Sequence, residues 1–273
     1  MNPSNQPRDP IAEFKGKQRE TWALGDFGQV AVFTTEPAAR LVRFAGVKSG
    51  QTVLDVGTGT GVVALTAARI GAKITGIDLT PKLLEQARLN GEALGFDNIV
   101  WRVGDAEDLP FPDSSFDVVL SQFGHIHAPR PEIATKEMLR VLKSGGTIAF
   151  ATWSADQLVG RAAALGAKYV QPPPGVPLPT LWGDPIVVGE RLGAEVRDLV
   201  FQHGTMKWNA LSPRHYRLFQ ETYTGPAIRL VQNLSNEPAK LEELRREYDA
   251  IVAQYFEDNV VRMTYLLSRA TKV

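Results

Sequence analysis

The feature that most constrains the fold is a regular alternation of short apolar runs and amphipathic segments over residues 52–153. The apolar runs predict buried strands, and the amphipathic segments have the spacing of helices that cover a sheet. Strands that alternate with helices favour a parallel sheet joined by helical crossovers. The strands predicted in this way cover residues 52–56, 73–77, 99–103, 116–121 and 147–153.

Past Trp153 the pattern predicts a helical insertion before one last strand. Gln171–Gly175 contains three consecutive prolines, which cannot continue a helix and mark a loop. The later elements predicted are a helix over 185–192, a strand over 196–208, helices opening at Pro213 and after Pro238, and a final strand over 260–267. These patterns predict an α/β fold with a doubly wound sheet.

The predicted elements divide the chain into four parts. Residues 1–45 are expected to form an N-terminal arm, loose up to about residue 12, and a helical cap. Residues 46–208 form the α/β core, 209–258 a helical insertion that we expect to act as a lid, and 259–273 the last strand of the core.

The amino-acid composition of the chain limits the kinds of partner and chemistry that it can have. Lys and Arg total 30 and Asp and Glu total 30, so the basic surplus that neutralises nucleic-acid phosphates is missing. The chain has no cysteine, which excludes disulfides, thiolate metal ligands and thiol nucleophiles. No apolar run resembles a signal peptide or a membrane span, so we expect a cytoplasmic protein with no stable membrane insertion and no nucleic-acid partner. These patterns leave the oligomeric state open.

The first predicted strand leads into the glycine-rich turn Gly57-Thr58-Gly59-Thr60-Gly61. Glycines here let the backbone turn tightly and approach a ligand closely. The spacing departs from the dinucleotide fingerprint, because Val62 stands where the third glycine would be. No Lys or Arg lies in or beside the turn, and Asp55 precedes it. An acidic turn suits S-adenosylmethionine (SAM), a cation without phosphate, better than NAD.

Further acids follow the next two strands. Asp78 ends the second strand, about twenty residues beyond the glycines, where a carboxylate accepts hydrogen bonds from ribose hydroxyls. Asp105 follows the third strand and is placed to accept from an adenine amino group at the same edge of the sheet. We expect its neighbours Glu107 and Asp108 to be solvated loop acids. Because NAD also carries a ribose, an NAD(P)-dependent oxidoreductase is the rival enzyme class.

In this order the segments resemble the class I SAM-dependent methyltransferases, and most closely the ubiquinone and menaquinone C-methyltransferase group (methyltransferase type 11). The segments that carry the resemblance are Val53–Gly61, Gly76–Asp78, Gly104–Phe111, Ser115–Val119 and Glu137–Gly146. The resemblance covers roughly residues 45–155. It implies a Rossmann-like, seven-stranded, mostly parallel sheet with an antiparallel last strand, and SAM lying across the carboxyl edge of the strands.

The resemblance also implies a set of cofactor-binding residues and the product S-adenosylhomocysteine (SAH). Asp55 and the glycines would flank the methionine end, Asp78 the ribose and Asp105 the adenine. The full set is Asp55, Gly57, Thr58, Gly59, Gly61, Asp78, Leu79, Asp105, Ala106 and Gln122. We therefore predict an enzyme that transfers the methyl group of SAM to carbon, nitrogen or oxygen of a small-molecule acceptor. The rival outside enzymology is a SAM-binding protein without catalysis.

Methyl transfer is an in-line displacement, which an enzyme accelerates largely by alignment and by excluding water. If the acceptor must lose a proton, His125 or His127, after the fourth strand, is the candidate base. The two histidines would share a face of an extended segment, but no third residue has the spacing of a metal ligand, so we expect no metal.

The acceptor site is expected in the parts least similar to the family. The candidate acceptor-binding residues are Trp22, Phe27, Phe123, Tyr216 and Phe219. They suit an aromatic or amphipathic acceptor held beneath a lid, although aromatic residues at helical spacing are also typical of a packed core.

Overall fold

A computed structural model describes residues 9–273, in which strands and helices follow the predicted alternation. The strands are β1 (Thr52–Val56), β2 (Lys73–Asp78), β3 (Val100–Val103), β4 (Phe116–Gln122), β5 (Leu142–Trp153), β6 (Val196–Asn209), β7 (Phe256–Glu257) and β8 (Val260–Lys272). The helices are α1 (Pro10–Leu24), α2 (Phe27–Ala45), α3 (Val62–Ala68), α4 (Pro81–Ala93), α5 (Pro131–Val141), α6 (Leu158–Ala167), α7 (Pro185–Leu192), α8 (Pro213–Tyr223), α9 (Gly225–Asn233) and α10 (Pro238–Ala253).

The strands form one sheet in the order β3-β2-β1-β4-β5-β8-β6. The first five strands of this order pair in parallel, and β8 is antiparallel to both β5 and β6. The predicted seven-stranded sheet with an antiparallel last strand is therefore confirmed, and the two-residue β7 pairs with β8 as an eighth strand. Chain order reverses between β1 and β4, and open α/β sheets bind ligands beyond the carboxyl ends of the strands at such a point.

Helices cover both faces of the sheet, because successive residues of a strand point to opposite sides. On β4, Val118 and Leu120 belong to the apolar core under α2 and α3, whereas Val119 belongs to the core under α5 and α7. Burial on both sides explains why the centre of β4, residues 118–120, is continuously apolar.

A helical cap lies over the carboxyl edge of the sheet. Lys15 and Gln18 of α1 reach the segments that follow β3 and β4, and α9 packs on α1. Leu165, Leu234 and Leu244 form a small separate core among α6, α9 and α10. The boundaries between cap, core and insertion stay predictions, because α8 and α10 also share the main core with β6 and β8.

Two features of the structure differ from the predicted elements. The loose arm expected up to about residue 12 lies largely outside the described residues, and its described end is helical: α1 begins at Pro10, where the Asp9 side chain accepts from the Ile11 amide at 3.0 Å. Helices α6 and α9 have no counterpart among the predicted elements. Within residues 9–273, no helix combines the length and apolar character needed to cross a bilayer.

Candidate active site

The glycine turn between β1 and α3 faces open space on one side. Gly57 and Gly59 have φ of 67° and 55°, a region that favours glycine because a Cβ would clash there. The amides of Gly57 and Thr58 both donate to the Ile77 carbonyl, at 2.9 and 3.0 Å, and hold the turn against β2. A Cβ built at Gly59 meets no atom of the described residues within 4 Å. The turn therefore presents bare backbone to a space that a ligand can enter.

Asp55 lies buried behind this turn. Its Oδ2 accepts from Thr58 Oγ1 at 2.6 Å and from the Ala64 amide at 3.1 Å, which ties the turn to the start of α3. Its Oδ1 has no hydrogen-bond partner in the described part of the chain. Burial, with a smaller contribution from the nearby Asp78, raises the pKa of Asp55 to about 7. An incompletely paired carboxylate at this position favours a cationic ligand.

Asp78 links the end of β2 to the turn. Its Oδ2 accepts from the Gly59 amide and its Oδ1 from the Thr80 amide, both at 2.8 Å. Each carboxylate oxygen has two acceptor positions, so one on each oxygen stays available to a pair of donors such as a ribose diol. Burial raises the pKa of Asp78. The following residue, Leu79, is half-buried beside it.

Gln122 ends β4, the strand next to β1. Its Nε2 donates to the Thr34 carbonyl at 3.1 Å, which joins α2 to the carboxyl edge of the sheet. Its Oε1 is buried and has no hydrogen-bond partner within residues 9–273. An unpaired buried acceptor is costly unless a ligand or water satisfies it. Gln122 is therefore suited to accept a hydrogen bond from a bound ammonium group.

The segment after β3 holds an ion-pair network that the sequence prediction missed. Asp105 accepts from Lys15 Nζ at 2.6 Å, and Glu107 accepts from the same ammonium at 2.5 Å. Arg130 donates to Glu107 from both its amide and its side chain, each at 2.7 Å. The expectation that Glu107 is a solvated acid is wrong, because its side chain is only 1% exposed. Ala106, between the two acids, is half-buried.

The two candidate bases have different surroundings. The ring of His125 is buried between Phe150 and Trp182, with centroids at 4.7 and 4.6 Å. Neither ring nitrogen has a hydrogen-bond partner among the described residues, and burial lowers the pKa of His125 to about 3. The ring of His127 contacts Trp22 at 4.8 Å, and burial lowers its pKa to about 4. The idea that both histidines share a face is wrong, because residues 125–127 form a 3-10 turn that sends the rings to different neighbours.

The structure brings some of the candidate acceptor residues together. Trp22 lies between His127 and Phe27, with the Phe27 centroid 5.3 Å away. Phe123 stacks on Trp153 at 3.9 Å, at the carboxyl ends of β4 and β5. Aromatic rings therefore line both the α1 side and the sheet side of the segment that follows β4.

Tyr216 and Phe219 of α8 belong to a different group of aromatic residues. They surround Trp208, with ring centroids at 5.5 and 4.9 Å. Tyr216 is buried, and its hydroxyl donates to Met263 Sδ at 3.3 Å. These contacts place Tyr216 in the core that α8 shares with β6 and β8. Phe219 lies at the edge of that core. Tyr216 is thus packed against protein rather than exposed to an acceptor.

The contacts that α1 makes at the site could not be predicted from the sequence. Lys15 contacts Asp105 and Glu107, and Gln18 Nε2 donates to the His127 carbonyl at 2.9 Å. About ninety or more positions separate the partners in each pair, so no local pattern or spacing marks them.

The fold and this edge of the sheet define a class: doubly wound proteins that bind a nucleoside-containing cofactor at the strand-order reversal. The residues present fit SAM in particular. The space beside Gly59 admits a ligand, the spare acceptor positions of Asp78 suit a ribose diol, and Gln122 Oε1 suits an ammonium. The unpaired Oδ1 of Asp55 lies behind a turn that would face a cationic ligand, and such a cation would favour the charged form of this carboxyl group.

Comparisons with known proteins agree with this class. A family model described as a methyltransferase domain matches residues 54–150. An uncharacterised protein of Mycobacterium tuberculosis is 32% identical over 257 residues, which cover 93% of each chain. The demethylmenaquinone methyltransferase of Tropheryma whipplei is 40% identical over 131 residues, which cover 48% of this chain and 54% of the relative.

Solved structures share the fold at lower identity. The YcgJ protein of Bacillus subtilis has a TM-score of 0.59 and 19% identity, covering 87% of this chain and 99% of that one. Phosphoethanolamine N-methyltransferase 2 of Haemonchus contortus, solved with phosphomonomethylethanolamine and SAH, has a TM-score of 0.56 and 18% identity, covering 87% of this chain and 52% of that one.

The chain belongs to the class I SAM-dependent methyltransferases. It is an enzyme whose cofactor is SAM and whose cofactor product is SAH. The predicted family and cofactor are therefore confirmed, and neither the oxidoreductase nor the non-catalytic alternative finds support among the relatives.

Proposed function

We propose that the acceptor is a small molecule with an aromatic or amphipathic body, bound beside the segment that follows β4, near the point where α1 contacts it. The observation that carries this proposal is the pair of aromatic groups on either side of that segment: Trp22 with Phe27 on one side, and Phe123 on Trp153 on the other. Flat apolar rings of this kind favour a ligand that is itself flat and apolar.

The relatives support the same class of acceptor. The Tropheryma whipplei relative, 40% identical over 131 residues, is named as a demethylmenaquinone methyltransferase. A quinone ring with an apolar tail is both aromatic and amphipathic. We therefore take quinol-type compounds as the first acceptors to test.

The cofactor site is proposed to bind SAM along the carboxyl edge of the sheet. Asp78, flanked by Leu79, would hold the ribose, and the spare acceptor positions of Asp105, with the Ala106 backbone, would hold the adenine. The glycine turn over Gly57–Gly61 and Gln122 would hold the methionine end. SAM itself supplies a methyl group already activated by its sulfonium. The protein then contributes alignment of that methyl group with the acceptor, and exclusion of water by α1.

If the acceptor loses a proton, His127 rather than His125 is the proposed acceptor of that proton. His127 is only partly buried and lies against Trp22, on the side where we place the acceptor. Its lowered pKa keeps the ring neutral at physiological pH, so that a nitrogen lone pair stays available. His125 is enclosed by aromatic rings in the core, where an acceptor would have to displace packed side chains.

The test is transfer of a radiolabelled methyl group from SAM to two panels of acceptors. One panel contains quinols and phenols, including demethylmenaquinol; the other contains small charged amines. We expect label in the aromatic panel, and we expect Trp22→Ala to raise KM for those acceptors while the dissociation constant of SAH changes little.

A matched histidine comparison tests the proton acceptor. His127→Ala is expected to lower kcat for acceptors that must lose a proton, whereas His203→Ala, at an exposed position on the edge strand β6, is expected to leave kcat unchanged. Label found only in the charged amines would contradict the proposed acceptor class. Equal effects of the two histidine substitutions would contradict the role given to His127.

A further inference from the structure

The segment that follows β4 lies against the glycine turn, backbone to backbone. A Cβ built at Gly124 would lie 2.6 Å from the Gly57 carbonyl oxygen and 2.7 Å from Gly57 Cα. A Cβ built at Gly57 would meet Gly124 Cα at 2.7 Å. Both glycines of this contact must lack a side chain, because backbone atoms this close could move apart only at a large cost in free energy. The turn that receives the cofactor and the segment that faces the acceptor are therefore in direct contact.

One buried hydroxyl connects the same two segments. Ser121 Oγ donates to the Val56 carbonyl, just before the glycine turn, at 2.6 Å. The same oxygen accepts from the amide of His125 at 3.1 Å. Ser121 is only 1% exposed, so water does not compete readily for either bond. The hydroxyl thus forms a two-bond bridge between the end of β1 and the 3-10 turn at residues 125–127.

Aromatic contacts hold the segment at two other points. Phe123 has a φ of 57°, and its ring is stacked on Trp153. The ring of His125 is enclosed by Phe150 and Trp182. These contacts explain a buried histidine without hydrogen-bond partners: its ring acts as a packing group that holds the turn. Ser121 and Gly124, by contrast, connect the segment to the end of β1 and to the cofactor turn.

We propose that Ser121 and Gly124 are positioning residues that couple the cofactor-binding turn to the acceptor-facing segment, residues 122–127. Binding of the cofactor against Gly57–Gly61 then orders residues 122–127 through the Gly57–Gly124 contact and the Ser121 bridge. The coupling sets the position of the acceptor relative to the methyl group, and both residues act through their contacts with β1 and the glycine turn. It rests on cofactor binding at the glycine turn and not on the identity of the acceptor.

Gly124→Ala is a clean probe of the contact. Gly124 has φ −93° and ψ −58°, a conformation that alanine adopts without strain. The substitution therefore tests the approach to Gly57 and not the backbone conformation. Gly166→Ala is the matched control, because its Cβ would meet only Leu230 Cδ2, at an ordinary 3.7 Å.

Ser121→Ala is the milder probe, since it removes the bridge without adding an atom. Its control is Ser115→Ala at the other end of the strand, where the hydroxyl donates to the Pro112 carbonyl at 2.6 Å and is exposed. Melting temperatures of all four variants verify that they are folded. The two serine variants keep the test valid if Gly124→Ala proves too unstable to study.

The experiment is hydrogen exchange followed by mass spectrometry, with SAH as the probe. In the wild type, SAH is expected to slow amide exchange about tenfold or more both in the glycine turn and in residues 122–127. In Ser121→Ala, protection of the turn persists, whereas protection of residues 122–127 is lost; Gly124→Ala, whose Cβ presses on Gly57, also loses protection of residues 122–127. Both controls behave as the wild type. With an acceptor that is turned over, kcat falls in both probe variants, and in Ser121→Ala KM for SAM changes little.

Protection of residues 122–127 that survives in both probe variants would overturn the proposal, since the segment would then respond to the cofactor by another route. In Ser121→Ala, a loss of protection in the glycine turn equal to that in residues 122–127 would also overturn it, because Ser121 would then support cofactor binding alone.

Discussion

Asp55→Asn is expected to stabilise the protein at neutral and higher pH. The carboxylate is buried, and one of its oxygens lacks a partner among the described residues. Its pKa in the folded chain is about 7, against an ordinary 3.8. A raised carboxyl pKa means that the folded state binds the proton more tightly, so this residue's contribution to stability is lost as pH rises from about 4 through about 7.

The size of the effect follows from the two pKa values. At about 1.4 kcal/mol for each pH unit, the difference between 3.8 and about 7 amounts to about 4 kcal/mol above pH 7. At about pH 5.5 roughly half of that cost has accrued. An asparagine has nearly the same shape, and its oxygen can accept from Thr58 and Ala64. The unfolding free energy of Asp55→Asn should therefore exceed that of the wild type by a margin that grows by about 2 kcal/mol between about pH 5.5 and about pH 8.

The assay is urea unfolding of both proteins at the two pH values. The comparison with asparagine is needed because His125 contributes the opposite slope: its pKa is lowered by burial to about 3, so its contribution to stability grows as pH rises towards 6.5. The control is Asp117→Asn, since a hydrogen bond from Lys143 and bonds from Thr52 lower the pKa of Asp117 to about 2. That variant should be less stable than the wild type by a margin that does not change between the two pH values. An Asp55→Asn margin that stays constant would refute the account of Asp55.

Two further substitutions test the packing and the ion pairs around the site. Glu107→Ala should lower the unfolding free energy by about 2–4 kcal/mol, because it removes a buried carboxylate from between Lys15 and Arg130. Urea unfolding measures this change, and an unchanged unfolding free energy would contradict the buried ion pairs of Glu107. Gly204→Ala should cost about 1–3 kcal/mol, since its Cβ would lie 2.2 Å from the Tyr265 ring. A control helix position, Gly189→Ala, should cost nothing, and equal effects of the two glycine substitutions would contradict the packing argument.

The fold could be predicted largely from sequence because its signals are local. Each central strand is a short apolar run, and the glycine turn stands directly after the first of them. Strand β4 illustrates the point. Its neighbouring residues Val118 and Val119 face opposite cores, so both must be apolar, and the strand is recognisable from sequence. The less regular region after Trp153 was predicted less completely. Helix α6 contains two glycines, Gly160 and Gly166, and α9 opens on Gly225-Pro226, so glycine and proline weaken the helical signal in both.

The residues of the candidate site likewise separate into those that local sequence signals predict and those that they do not. Asp55, Asp78 and Asp105 lie next to strand ends, so their place at one edge of the sheet follows from strand order alone. The burial of Glu107 depends instead on Lys15, and the distinct positions of His125 and His127 depend on a 3-10 turn packed against distant aromatic rings. Contacts between residues far apart in sequence decide these cases, and no spacing reveals them.

The most direct test of the central claim is calorimetric titration with SAH, SAM and NAD. Wild type should bind both adenosyl ligands and not NAD. Asp78→Ala should weaken SAH binding about 100-fold or more, because it removes the carboxylate that we propose accepts from the ribose hydroxyls, and also the anchor of the Gly59 amide. Asp97→Ala, in an exposed loop, should bind as the wild type. Binding of NAD, or SAH affinity that is the same in Asp78→Ala and the wild type, would contradict the cofactor site described for this protein.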